Sequence, residues 1–147
     1  MSQEKSKIWI SIVGSSSDDE YEGEGIQIQT EGQFYREREI PCIRYDEPDS
    51  TGMGDTTTIL KLEGEQVSMI RIGEVNSLME FKKGNNYEGT YNTPFGAMIM
   101  GIVTKAVSVD YDDIKRPLNV QVDYDIEIQG QPPLRQYLNI KVKDYSN

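Results

Sequence analysis

The side chains that could do chemistry centre on an arginine in the segment VSMIRIGE, residues 67–74. Arg71 follows Met69 by two positions, so in a β-strand the two side chains lie on the same face. If Met69 faces a core, Arg71 does so too, and a buried guanidinium needs a compensating anion. We expect that anion to be a carboxylate of the chain, such as Glu47 or Glu80, or an anionic ligand.

A lysine and three tyrosines could complete this site. We expect Lys61 and the hydroxyls of Tyr45, Tyr91 and Tyr124 to lie near Arg71, where together they would bind a carboxylate or a phosphate. The alternative is that Arg71 extends to solvent from the outer face of a sheet, as most strand arginines do, or closes a structural ion pair. The tyrosines would then form part of the protein wall.

The composition argues against most enzyme classes. The chain has no histidine, which excludes an imidazole base and the usual zinc sites. Its single cysteine, Cys42, excludes an internal disulfide and a cysteine-rich metal site. Lys61 as a nucleophile would lack a second catalytic group at a defined spacing. We therefore predict no catalytic residue, no cofactor and no metal, although the sequence alone does not decide whether the protein is an enzyme.

Two acidic clusters invite a calcium interpretation, SSSDDE at residues 15–20 and DYDD at residues 110–113. Neither has the alternating spacing of a calcium-binding loop with a glutamate at its twelfth position. Solvated loops are the better interpretation of both.

The charge of the chain limits its partners. Its 15 basic and 25 acidic residues give a formal net charge of -10, which repels polyanions over most of the surface. We predict that it binds neither nucleic acid nor membrane. The apolar run IWISIV, residues 8–13, is too short to span a bilayer and lacks the flanks of a signal peptide, so we expect a cytoplasmic protein.

Period-two patterns predict β-strands. Apolar and polar residues alternate through LNVQVDYDIEIQ, residues 118–129, and again from Leu138 to Val142 after the turn GQPP, which predicts an antiparallel hairpin. Glycine, proline and Asx residues divide the middle of the chain into short runs. No window has a convincing helical period, although a short turn of helix in a loop is compatible with the pattern. The runs amount to about eight to ten strands.

The short connections favour an up-and-down meander that closes into a barrel. Gly101 and Ala106 interrupt one strand, and we expect the sheet to bend there. Pro94 and Gly96 in NTPFG predict a tight turn that leads into this strand. The inward face of the middle strands stays open, since a one-residue bulge would invert it.

The run from Tyr45 to Val142 resembles the YwiB-like bacterial family, domain of unknown function 1934. The motifs that carry the resemblance are IRYDEP, TTTILKLEGEQVSMIRIGE, FKKG, YNTPFG, VDYDIEI and LNIKV. The residues that match the family's pattern are Lys61, Met69, Arg71, Gly73, Phe81, Gly84, Tyr91, Phe95, Gly96, Thr104 and Tyr124. The segments PDSTGMGD and DIKRP depart from it in loops. The resemblance implies a calycin- or lipocalin-like β-barrel and a bacterial cytoplasmic origin, and it implies no activity.

Together these observations predict one all-β domain over residues 1–147, a closed or nearly closed antiparallel up-and-down barrel, with residues 1–6 disordered. Two functions stay open. The first is binding of a small anionic or amphipathic ligand inside the barrel. The second is a non-enzymatic structural or protein-interaction module with a solid barrel, in which exposed aromatics or an open strand edge contact a partner. A monomer and a homodimer fit both.

Overall fold

The protein is a closed barrel of ten antiparallel strands, seen in a computed structural model that describes residues 5–16 and 26–145. The strands are β1 (Ser6–Ser16), β2 (Ile26–Glu37), β3 (Ile40–Asp46), β4 (Thr56–Glu63), β5 (Gln66–Gly73), β6 (Asn76–Phe81), β7 (Asn86–Thr93), β8 (Gly96–Tyr111), β9 (Pro117–Ile128) and β10 (Leu134–Asp144). Each pairs with its neighbours in sequence, and β1 closes the barrel on β10. The predicted meander barrel is confirmed.

Some of the predictions fall on residues 1–4 and 17–25, which lie outside the described residues. Of the residues predicted to be disordered, Ser6 is the first residue of β1, whereas residues 1–4 lie outside the described residues. Most of the acidic cluster SSSDDE lies outside them too. The described part of the chain contains one helical turn, a 3-10 turn at Asp49–Thr51 between β3 and β4.

The long strand β8 bends at a bulge. Thr104 lies opposite Tyr124 and Ala106 lies opposite Asp123, so Lys105 is the extra residue. The predicted bend therefore falls beside Ala106. Gly101 instead lies in a regular part of the ladder.

The NTPFG segment forms the predicted tight turn. Thr93 pairs with Gly96, which leaves Pro94 and Phe95 as a two-residue loop between β7 and β8. The Thr93 Oγ1 atom accepts a hydrogen bond from the Phe95 amide at 3.1 Å and donates one to the Gly96 carbonyl at 3.0 Å. Gly96 has φ of 132°, which favours glycine at this position.

The strict alternation of side chains divides each strand into an inner and an outer face. In the middle strands Leu60 and Leu62 face inward from β4, and Val67 and Met69 face inward from β5. The inner face therefore includes Arg71. The core cluster consists of Ile8, Ile10, Ile12, Phe34, Ile43, Tyr45, Leu60, Leu62, Val67, Met69, Met79, Phe81, Met100, Ile102, Val120, Val122 and Ile140.

The two ends of the barrel differ. We call the end with the β3–β4, β5–β6, β7–β8 and β9–β10 connections the mouth, and the opposite end the base. At the base the β8–β9 connection is fastened to two hairpins: Arg36 Nη2 donates a hydrogen bond to the Ile114 carbonyl at 2.7 Å, and the Tyr111 hydroxyl donates one to the Gly64 carbonyl at 3.0 Å. Towards the mouth, the inward residues Ile28, Ile126 and Leu138 are only partly buried.

A glycine that the sequence analysis did not single out controls the contact between β2 and β3. Gly32 faces inward, and a Cβ atom there would lie 2.7 Å from the carbonyl oxygen of Arg44 and would collide with the Cδ1 atom of Ile10. The Arg44 carbonyl oxygen belongs to the backbone, so it cannot move aside as the Ile10 side chain can. The absence of a side chain therefore lets β3 approach β2 at this point.

We predict that Gly32→Ala lowers the free energy of unfolding by at least about 2 kcal/mol, as overpacking against backbone does. Gly14→Ala is the matched control: Gly14 also lies on an inner face, and the atom nearest to an added Cβ would be the Tyr137 carbonyl oxygen at 3.9 Å. The control should be neutral or stabilising by a few tenths to about 1 kcal/mol. Urea unfolding followed by the fluorescence of the single tryptophan, Trp9, measures both; equal stabilities for the two variants would contradict this role of Gly32.

Candidate functional site: the mouth of the barrel

Arg71 lies inside the barrel near its mouth. It occupies the mouth end of β5, and its side chain is 14% exposed. Its Nη1 atom contacts the Met79 Sδ atom at 3.8 Å, and its buried Nε atom has no hydrogen-bond partner among the described residues. Because sulfur is a weak acceptor, the guanidinium has few good partners for its five N–H donors.

Glu47 provides the carboxylate nearest to this guanidinium. Its side chain is 2% exposed, and its Oε2 atom lies 3.9 Å from Arg71 Nε. That separation gives a Coulombic attraction without a hydrogen bond. The same Oε2 atom accepts a hydrogen bond from the Thr58 hydroxyl. Of the two carboxylates expected from the sequence, Glu47 is thus the one that faces Arg71, and it is already engaged.

Two of the three predicted tyrosines are protonated hydroxyl donors in this interior. Burial raises the pKa of Tyr45, the negative charge of Glu47 raises it further, and Arg71 opposes the rise. Burial also raises the pKa of Tyr124, against the effect of Arg71. The Tyr124 ring packs on Phe81 with 4.7 Å between ring centroids. Tyr91 is half-buried on the inner face of β7 and packs against the core.

The structure adds two hydroxyls that the sequence analysis did not propose. Ser77 lies directly between Arg71 and Tyr91 in the ladder of β5, β6 and β7. Thr104 lies opposite Tyr124. Both face inward, and in the part of the chain that the structure describes their buried hydroxyl oxygens have no hydrogen-bond partner. The period-two pattern with Met79 could have placed Ser77 inside.

Lys61 and Glu80 do not belong to this site, which corrects two of the predicted residues. Lys61 alternates with the buried Leu60 and Leu62, so it points outward, where its Nζ atom lies 3.6 Å from a carboxylate oxygen of Glu37. Glu80 likewise alternates with buried residues on β6. Each charge reaches solvent on the outer face without the desolvation cost that the interior would impose.

The arrangement is suited to binding an anion. The Arg71 guanidinium, with an unmatched Nε donor, lies close enough to Tyr45 and Tyr124 to affect their pKa values, and the hydroxyl of Ser77 lies opposite it in the ladder. Within the described residues, no three Cys, Asp or Glu side chains are arranged to hold a metal ion. In the same part of the chain, no helix has the length and apolar content needed to cross a membrane.

The fold and the interior charge pair define the class of protein, a closed ten-stranded up-and-down β-barrel with an arginine in its mouth. The family model described as "Domain of unknown function (DUF1934)" matches residues 10–140, and the chain belongs to this family. The "Uncharacterized beta-barrel protein YwiB" of Bacillus subtilis (strain 168) is 27% identical over 112 residues, 76% of this chain and 77% of that protein. The crystal structure of ywiB protein from Bacillus subtilis has the same fold, with a TM-score of 0.78 at 20% identity, over 98% of this chain and 96% of that chain.

We predict that Glu47→Gln lowers the free energy of unfolding by about 3 kcal/mol, because it leaves the Arg71 charge without a counterion in the interior. The double variant Glu47→Gln with Arg71→Met should recover most of this loss, since it removes the uncompensated charge as well. Urea unfolding of both variants and the wild type measures the difference. Equal losses for the single and the double variant would show that the two charges do not interact.

Proposed function

We propose that this protein is a cytoplasmic binding protein that holds a small anionic ligand with an apolar portion in the mouth of its barrel, as calycin- or lipocalin-like barrels hold ligands. Arg71 would contact the anionic group. Tyr45, Tyr91 and Tyr124 would add hydroxyl contacts. The proposed role is binding and not catalysis, since the chain has no histidine and Lys61 lies outside the barrel.

One observation carries the proposal: the donors around Arg71 outnumber the acceptors. Within the described residues, the Arg71 Nε atom has no hydrogen bond, and neither does the buried hydroxyl of Ser77 beside it. The nearest carboxylate, on Glu47, is shared with Thr58. Buried polar groups of folded proteins nearly all have partners, so unmatched ones call for an explanation. An anion at this position would supply the missing acceptors.

A second ion pair of the same protein shows what a structural pair looks like by contrast. On the outer face, Arg135 donates two hydrogen bonds to Asp123, at 3.0 Å from Nε and 2.7 Å from Nη2. This is the bidentate geometry that fits a guanidinium to a carboxylate. Arg71 and Glu47, which are more deeply buried and would gain more from such geometry, lack it. That difference favours a ligand site over a purely structural pair at Arg71.

The apolar portion of the ligand is inferred from the inner residues nearest the mouth. Ile28, Ile126 and Leu138 face inward but are only partly covered by the protein. Met98, at the mouth end of β8, is 37% exposed. Ligand sites are typically lined by apolar side chains with a few polar groups that orient the ligand. A hydrocarbon chain or ring would cover these surfaces while its anionic end contacts Arg71.

We predict that octanoate, a carboxylate with an apolar chain, binds the wild-type protein and that Arg71→Met weakens its binding by at least about tenfold, the loss of a charge-assisted hydrogen bond. Lys61→Met is the matched control, since it removes one positive charge from the outer face and should leave the affinity unchanged. Isothermal titration calorimetry measures all three proteins, with octanol as the uncharged comparison. Equal affinity of Arg71→Met and the wild type, or no binding of octanoate and of inorganic phosphate to the wild type, would favour the solid-barrel module.

Glu47→Gln should change the affinity in the opposite direction. The Glu47 carboxylate repels an incoming anion and attracts the same guanidinium, so its neutralisation should make octanoate bind more tightly. The gain should also appear as a larger stabilisation by octanoate in thermal unfolding, because a ligand that binds only the folded state raises its stability. Weaker binding to Glu47→Gln than to the wild type would place the anion away from the Arg71–Glu47 pair.

A further inference from the structure

Two residues of the β7–β8 hairpin have no explanation within the described part of a single chain. Phe95, in the two-residue loop, is 100% exposed. Hairpin loops normally carry small or polar residues, and a fully exposed phenylalanine leaves a large apolar surface in water. Gly101, six residues further on, interrupts an otherwise regular stretch of strand.

The fold does not require a glycine at position 101. Gly101 lies on the outer face, and the nearest atom to an added Cβ would be the Tyr87 carbonyl oxygen at 4.0 Å, an ordinary contact. A glycine inside a strand weakens it by about 0.5–1 kcal/mol relative to alanine, and it often marks a point where another group comes close. Among the described residues no atom takes that place at Gly101, so the position is open to a group from another molecule.

The surface around Gly101 is a hollow that can receive a side chain. Glu88 on β7 and Glu127 on β9 lie directly opposite Gly101 and form the two walls. The hollow has a volume of about 300 Å³, and Val103, Pro133 and a third carboxylate, that of Asp125, also line it. The edge of an aromatic ring is the positive part of its quadrupole, so a phenyl ring seated here would have its edge beside two carboxylates.

We propose that the protein forms a symmetric dimer in which Phe95 of each copy occupies the Gly101 hollow of the other. The geometry is self-complementary, as a two-fold interface requires. Positions 95 and 101 of one chain are about 20 Å apart along the strand, and Met98 lies midway between them. A two-fold axis at the level of Met98 therefore places each Phe95 beside the Gly101 of the second copy. It also brings each Ile99, which is 50% exposed, to the second copy's Ala97.

The charge distribution on this part of the surface allows a second copy of this chain to approach. Each copy carries a net charge of -10, so most faces would repel one another. The outward residues of this part of β8 are Ala97, Ile99, Gly101 and Val103, and none is charged. The hairpin loop that would enter the acidic hollow is also uncharged. The contact therefore places an uncharged tip against the carboxylates and keeps the acidic walls of the two copies apart.

The outer face of the neighbouring strands can enlarge the interface. Ile59, Ile70 and Leu78 lie in one row across β4, β5 and β6. Ile72 beside them is 55% exposed. Only two residue pairs join β6 to β7, so this row borders the least paired seam of the barrel wall. These apolar surfaces would add to the area that two phenylalanine anchors alone cannot supply.

Sedimentation velocity of the full chain from about 5 to 200 µM tests the dimer. We expect the wild type to dimerise with rising concentration, and more strongly at high salt, which screens the repulsion between the two acidic chains. Phe95→Ser and Gly101→Val should each weaken the dimer at least about 100-fold, because each affects both symmetric anchors. Ile114→Ser is the control, since Ile114 is 62% exposed at the base and should leave the dimer intact.

Circular dichroism melting separates the loss of the dimer from the loss of the fold. Phe95→Ser should melt as a dilute wild type does, because the ring is fully exposed in a single chain. A wild type that stays monomeric over the whole concentration range at both salt concentrations overturns the proposal. A dimer that survives Phe95→Ser overturns it as well, since the copies would then associate through another face.

Discussion

Closure of the sheet is the constraint on which the rest of this structure depends. Once β1 pairs with both β2 and β10, no edge strand is left among the ten described strands, and every residue of a strand faces either the interior or the solvent. Because side chains alternate with a period of two, the face on which one side chain lies fixes the faces of its neighbours along the strand. Burial of Met69 carries Arg71 into the interior, and burial of Leu60 and Leu62 carries Lys61 out of it. The positions of both charges are consequences of apolar burial on the same strands.

The same coupling explains how much the sequence could predict. Alternating patterns and short connections were enough for the antiparallel meander and for the shared face of Met69 and Arg71, because both depend on neighbours in the chain. The partner of Arg71 depends on more. Glu47 follows the end of β3, so its distance from Arg71 is set by the registers of β3 on β4 and of β4 on β5. Side-chain alternation places Glu80 outside, but only once the register of β6 on β5 is known.

Glycines show the limit of sequence reasoning in another way. Gly32, Gly101 and the neighbourhood of Ala106 all look alike in the sequence, as small residues within β-strands. Gly32 is required because a carbonyl of β3 crosses it. The bend near Ala106 comes from one extra residue, and at Gly101 no atom of the described chain comes close enough to demand a glycine. Which atoms approach a glycine is a property of the closed barrel and cannot be read from the residues on either side.

The difference between the two ends of the barrel explains why the Arg71 charge lies at the mouth. At the base, Arg36 and Tyr111 fasten the β8–β9 connection to two hairpins, and inner residues at the base ends of their strands, such as Phe81 and Val67, are fully buried. A guanidinium placed there would lose its hydration with nothing to replace it. Arg71 lies at the other end, where the inner residues are only partly covered and water can still reach the side chain. The charge is therefore tolerated at the more open end of the barrel, and the loose contact with Glu47 leaves its donors available for the ligand proposed above.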